Sequence, residues 1–183
     1  MNMTEHERFC LAVLERAGLQ KRKTDHSLAV ALLSAELARR LREKGYRTDV
    51  SLCYTGGLLH DIRRYERRHS RAGAKYLRAL GLHAEARICW LHDGEDVSLD
   101  LNDPAAIVCL ADKLLSGDEF VGIAARYAYT AKKYSHDPAL LRTIAHRRLN
   151  AYALQSCVEN ALGVSPEEIW REVDTARKLS YND

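Results

Sequence analysis

Residues 56–69 read GGLLHDIRRYERRH. Two glycines and two leucines open the stretch, an imidazole and a carboxylate occupy its middle, and Arg63, Arg64, Arg67 and Arg68 crowd its end, with Arg71 just beyond. An apolar helix face that surfaces in His60-Asp61 is either the point where a buried helix meets water or the floor of a site for a metal and an anion. Neighbouring positions on a helix stand about 100° apart, so both side chains can lean toward one point. If the helix continued, His60, Arg64, Arg67/Arg68 and Arg71 would share one stripe.

Outward from that stretch the signals are helical. Asp49 opens the helix that runs into it. A helix over about 69–80 is closed by Gly81, and a shorter one covers about 84–92. Upstream, Thr4 and Glu7 form a capping box, and Gly18 ends the helix that follows. Thr24 or Asp25 offers a cap for a second helix, which carries Leu28, Leu32, Ala35 and Ala38/Arg39 toward Gly45. Downstream, Asp103-Pro104 and Asp137-Pro138 place a capping carboxylate before a proline at the first helical position. Ser165-Pro166-Glu167-Glu168 repeats the device with a capping-box glutamate. All three prolines of the chain mark helix starts. The long loop is GEDVSLDLND, 94–103, and neither repeat, linker nor low-complexity segment is present. The pattern predicts a single all-α domain over 1–183 with about nine helices.

Composition sets the outer limits. With 46% hydrophobic and 29% charged residues, 183 positions support one well-buried core rather than a disordered chain. A net charge of +3 is too small to argue for a nucleic-acid or membrane partner. The N-terminus lacks an apolar leader, and no run reaches the roughly 18 apolar residues of a membrane span. Cys10, Cys53, Cys89, Cys109 and Cys157 form no CxxC pair and read as reduced thiols of a cytoplasmic protein.

The chemistry depends on which polar residues are set in apolar frames. With eight histidines and twelve aspartates, chance alone gives about half a His-Asp dipeptide. The chain has three: His60-Asp61, His92-Asp93 and His136-Asp137. The last is explained by Asp137 as a helix cap. His26 stands near the start of an apolar face, and Asp112 lies inside IVCLADKLL. A buried, unpaired carboxylate costs several kcal/mol, so Asp112 requires a cation, a hydrogen-bond network or a metal. Two imidazoles and two carboxylates from three helices make an N/O site suited to a divalent transition metal.

His26, His60-Asp61 and Asp112, in that order, resemble the H…HD…D signature of the HD superfamily of metal-dependent phosphohydrolases. The frames HSLAVALLSAELA, GGLLHDI and IVCLADKLL resemble the surroundings of those ligands, while HSRAGAKYLRALG adds His69 and ICWLHDG adds His92, as in the two-metal subset. The resemblance covers about 24–118, and about 119–178 would supply C-terminal helices. It implies a helical bundle of the HD type in which His26, His60, Asp61 and Asp112 hold one ion. His69 and His92 would hold a second, with Asp61 bridging, and the one or two ions would be Fe, Mn, Co, Ni or Zn. The implied reaction is hydrolysis of a nucleotide or related phosphate mono- or diester by a metal-activated water. Asp61 and Lys113 are its catalytic candidates, with Arg64, Arg67 and Lys113 meeting substrate phosphate. Set against these roles, a run of arginines is ordinarily a solvated face, and Lys113 could simply extend to water.

Two other readings stay open. Some HD-fold proteins with the same six ligands are di-iron oxygenases, and a metal-stabilised helical sensor could bind a nucleotide without turning it over. The complete ligand set argues against the sensor. The GYP motif of cyclic dinucleotide phosphodiesterases is absent from the sequence. His6, His83, His136 and His146 match no motif and default to the surface, and a homodimer is compatible with everything above.

Overall fold

The structure, a computed structural model, describes residues 3–179. Among them nine helices run in the order α1 (Glu5–Arg16), α2 (Lys21–Glu43), α3 (Val50–Leu59), α4 (His69–Ala79), α5 (His83–Leu91), α6 (Pro104–Leu114), α7 (Gly122–Lys133), α8 (Pro138–Leu162) and α9 (Pro166–Leu179). A two-residue antiparallel hairpin, β1 (Leu115–Ser116) with β2 (Glu119–Phe120), interrupts the helices between α6 and α7. The fold class is all-α, and the hairpin is a local turn device.

Most helix starts follow the expected chemistry. Thr4 accepts from Glu7 N while Glu7 reaches back to Thr4 N, completing a capping box. Asp49, Asp103 and Asp137 accept from Leu52 N, Ala105 N and Leu140 N respectively. Ser165 and Glu168 make the reciprocal pair at α9. The start of α2 differs. Its N-cap is Gln20, whose carbonyl accepts from Lys23 N and Thr24 N, and Asp25 is taken up by Lys21 at 2.8 Å instead of capping. His26 therefore lies in the second turn of α2. Its core face also differs from the expected one: Ala29, Val30, Leu33, Leu37, Ala38 and Leu41 are buried, while Leu28, Leu32 and Ala35 are half-buried. The latter line a groove of about 620 Å³ with residues of α1, α3 and α9, and this groove shares no residue with the His–Asp cluster.

The quoted stretch does not continue as a helix, which corrects the arginine stripe. After Leu59 the chain makes successive tight turns, with Ile62 N on Leu59 O, Arg64 N on Asp61 O and Glu66 N on Arg63 O. Arg68, at φ 56°, then redirects it into α4. Its two glycines are the contact points of α3. A Cβ on Gly57 would stand 2.5 Å from the Ala31 Cα of α2, and one on Gly56 would meet the end of the Ile88 side chain. Backbone approaches backbone at Gly57, so α3 lies close against α2.

Two apolar clusters hold the helices. The larger joins α2, α6, α7, α8 and α9 and includes Leu33, Ile107, Leu110, Leu154 and Ile169. The smaller joins α1, α3, α4 and α5 through Leu14, Leu58, Ile62, Leu77 and Cys89. Helix α6 is buried from Ala105 to Leu114, including Asp112 and Lys113. No helix of the described residues is long and apolar enough to cross a membrane.

Candidate metal centre

Six side chains from five segments converge at the junction of α2, α3, α4, α5 and α6. His26 comes from α2, His60 and Asp61 from the residues directly after α3, His69 from the first position of α4, His92 from the cap of α5, and Asp112 from α6. His26, His60, Asp61, His92 and Asp112 are buried, and His69 is half-buried. The geometry forms two groups that share Asp61. In one, Asp112 Oδ1 lies 3.0 Å from His26 Nε2 and 3.6 Å from His60 Nε2, with Asp61 Oδ2 3.9 Å from His60 Nε2. In the other, Asp61 Oδ1 lies 3.2 Å from His69 Nε2 and 3.4 Å from His92 Nε2, and those two nitrogens are 3.1 Å apart.

The tautomers determine what this cluster can hold. His26 Nδ1 lies 2.9 Å from Gly117 O, His60 Nδ1 2.8 Å from Gly57 O, and His92 Nδ1 2.6 Å from Cys89 O. A carbonyl only accepts, so each Nδ1 carries the hydrogen and donates it. In the neutral imidazole each Nε2 is then a bare lone pair, and all three point at carboxylates or at one another. His60 Nε2 is buried without a hydrogen-bond partner. Lone pairs facing carboxylates in a dry pocket are repulsive unless a cation lies between them. Ligands on one ion at about 2.1 Å stand about 3.0–3.4 Å apart, and the spacings around Asp61 Oδ1 fall in that range.

A second group, His6, Cys10 and Glu85, contrasts with this one. His6 Nε2 is 2.6 Å from Glu85 Oε1, which also accepts from Thr55 Oγ1. That separation is a hydrogen bond and is too short for two ligands of one ion.

Positive charge at the inward Nε2 atoms governs the carboxylates. Burial alone would raise the Asp61 carboxyl, but His60, His69 and His92, when they carry a proton toward it, hold it well below the usual range, and a metal ion would take that role for the neutral rings. Burial is likewise overcome at Asp112, by Lys113 first, then His26, His60 and Arg126. Lys113 is buried, and Asp112 outweighs desolvation to raise its pKa, so it stays charged. Its Nζ donates to Asp112 Oδ2 and to His92 O, tying the two groups together. Arg64 Nη1 lies 3.5 Å from Asp61 Oδ1 and 3.2 Å from His69 Nε2. Arg67, expected at phosphate, is exposed on the turn, and the structure gives it no contact with the cluster. His6, His83, His136 and His146 are exposed.

Three residues at this site were not expected from the sequence. Arg126 of α7 places Nη2 3.3 Å from Asp112 Oδ1. Lys23 of α2 is half-buried, within electrostatic reach of Asp61. Asp93 receives Ser70 Oγ at 2.8 Å and has Oδ1 3.8 Å from His69 Nε2, His92 Nε2 and Arg147 Nη1. Burial pushes its carboxyl up, but His92, Lys113 and Arg147 bring it down to about 2. Only Asp93 had a visible signal, as the second half of a His-Asp dipeptide.

The family model described as HD domain matches residues 24–117, just over half of the chain. Uncharacterized protein MJ0778 of Methanocaldococcus jannaschii is 36% identical over 117 residues, covering 54% of this chain and 69% of the relative. No solved structure matches.

Proposed function

Because the chain belongs to the HD domain family, we propose that it is a metal-dependent phosphohydrolase acting on a nucleotide or related phosphate ester. The supporting observation is the set of inward Nε2 lone pairs, with His60 Nε2 buried and unpartnered among carboxylates. The residues fit divalent ions: His26, His60, Asp61 and Asp112 would hold one, and Asp61, His69 and His92 a second, drawn from Fe, Mn, Co, Ni and Zn. When bound, such ions supply Lewis acidity to a phosphoryl oxygen and to the attacking water.

The chain's own groups supply the rest. Gly117 O, Gly57 O and Cys89 O fix the rings of His26, His60 and His92, so the ligand atoms are preorganised before any ion arrives. Asp61 lies between the two groups and is the catalytic carboxylate. Lys113 positions Asp112 and the end of α5, with one of its three N–H donors left for the substrate. The Arg64 guanidinium, half-exposed beside Asp61, neutralises charge growing on the phosphoryl oxygens. The four buried free thiols fit a reducing compartment, and the cytoplasm is the proposed location.

The test is a phosphatase substrate screen with Mn²⁺, Co²⁺ or Ni²⁺ added. His60→Ala should abolish turnover while leaving helix content by circular dichroism intact. His136→Ala should keep it, since His136 is exposed and Asp137 caps α8. Activity surviving in His60→Ala would overturn the reading.

A further inference from the structure

Around the metal cluster the chain gathers more positive charge than its ligand carboxylates need. Lys23 lies three residues before His26 on α2, on the same helical face, and is partly withdrawn from water. Lys23 is half-buried, and the charges acting on it include the Asp61 carboxylate and the guanidiniums of Arg64, Arg126 and Arg22. Arg22 lies over the hairpin turn, its Nε 3.6 Å from where a Cβ on Gly117 would be, and Gly117 O is the acceptor for His26. Arg126 enters from α7 and Arg64 from the turn after α3, each resting on an oxygen of Asp112 or Asp61. Those are the same oxygens that divalent ions would take. With ions on those oxygens, Arg64 and Arg126 would each need another anion, and Lys23 stands one helical turn before His26 on the same side of α2.

Like charges assembled in a half-dry place repel, and an anion among them relieves that repulsion. One phosphoryl group at the metals engages Arg64. Lys23 and Arg126 are then surplus, whereas the charge of Lys113 is already met by Asp112. We infer that Lys23 and Arg126 form a second anion seat beside the metal-centred one, and that the substrate carries a phosphoanhydride chain rather than a lone phosphomonoester. Arg126 brings a planar donor pair suited to phosphate, and Lys23 a mobile ammonium. This inference rests on the phosphohydrolase reading above.

The experiment titrates metal-loaded protein, by calorimetry at constant ionic strength, with inorganic phosphate or inorganic pyrophosphate, each preloaded with the same divalent ion. Metal content is verified afterwards. Wild type should bind pyrophosphate at least tenfold more tightly than phosphate. Lys23→Ala and Arg126→Ala should each cut that preference by about fivefold, with phosphate affinity nearly unchanged, and Lys23→Arg should restore it. Should Arg126→Ala lose metal through Asp112, the Lys23 pair decides alone. Equal affinities in wild type, or a preference that survives in Lys23→Ala, would remove the second seat and leave the phosphohydrolase reading intact. If metal-loaded wild type binds neither anion, that reading falls and the seat falls with it.

Discussion

At Asp61 two sets of donors meet: Oδ2 faces His60, and Oδ1 faces His69 and His92. Removing this one side chain should therefore empty both groups, whereas His69→Ala should disturb only the second. Elemental analysis of protein purified without chelator should give Asp61→Ala the lowest metal content of any single ligand variant, with His69→Ala retaining up to one equivalent. Full metal content in Asp61→Ala would sink the ligand assignment. The glycines upstream give a second contrast. Gly57→Ala puts a methyl into the Ala31 backbone, which cannot rotate aside, and Gly57 O also anchors the His60 ring. It should cost about 1–3 kcal/mol or more by urea unfolding and lower metal affinity. Gly56→Ala meets a flexible side chain, and alanine's better helix propensity offsets part of the strain, so its cost should stay near or below about 1 kcal/mol. Equal effects at the two positions would mean that α2 and α3 are free to separate. His60, Asp61 and Asp112 were legible in the sequence because each is a polar residue in an apolar frame. Lys23 and Arg126 were not, because a cation in a polar helix face reads as solvated until the packing of α2 and α7 around the cluster is known.

Among the elements, helices opened by a short polar capping side chain were readable at their starts, α4 and α5 were readable from their extent although neither has a side-chain cap, and the start of α2 was not readable. The sequence of α6 shows its start plainly, since Asp103 both caps it and pairs with Arg87 through two contacts of 2.7 Å. The start of α2 was misplaced because Gln20 supplies only a carbonyl there, and the arginine stripe, which depended on the helix continuing, does not form because the chain turns between His60 and Arg68. Asp103 yields a pH-dependent prediction. The Arg87 guanidinium, acting against burial, holds its carboxyl below the usual range. A depressed folded-state pKa contributes stability above the unfolded value of about 3.9, and that contribution disappears as pH falls through the folded value. Asp103→Asn keeps an acceptor for Ala105 N and loses the charge. It should therefore destabilise by up to about 1 kcal/mol near neutrality, limited by the exposure of Arg87, and by almost nothing once the wild-type carboxyl is protonated. A difference in urea midpoint that persisted unchanged into acid would assign the effect to packing.

For the whole molecule, the position of the cluster decides what metal does to stability. Its ligands come from α2, α4, α5, α6 and the turn after α3, so ions held there join the larger apolar cluster to the smaller one. The unfolded chain cannot present these six groups together, so metal binds the folded state preferentially. Free metal at about 100 times its dissociation constant adds about 2.7 kcal/mol, which for a chain of this length raises the melting temperature by about 5–11 °C. Chelation should reverse that gain, and each further tenfold of free Mn²⁺ or Co²⁺ should restore about 1.4 kcal/mol of it. The sign with pH follows from the ligands, since imidazole binds metal only when neutral. The metal-dependent part must shrink as the solution is acidified, and melting curves with and without metal should converge. The chelated protein should still fold, because Lys113 and Arg126 already compensate Asp112, and Arg64 with the imidazoles compensates Asp61. Calorimetric scans of chelated and metal-titrated protein at two pH values check all three parts. A melting temperature indifferent to metal at neutral pH would mean that the inward lone pairs are satisfied by protons alone, and the cluster would then be a buried imidazolium–carboxylate network instead of a metal centre.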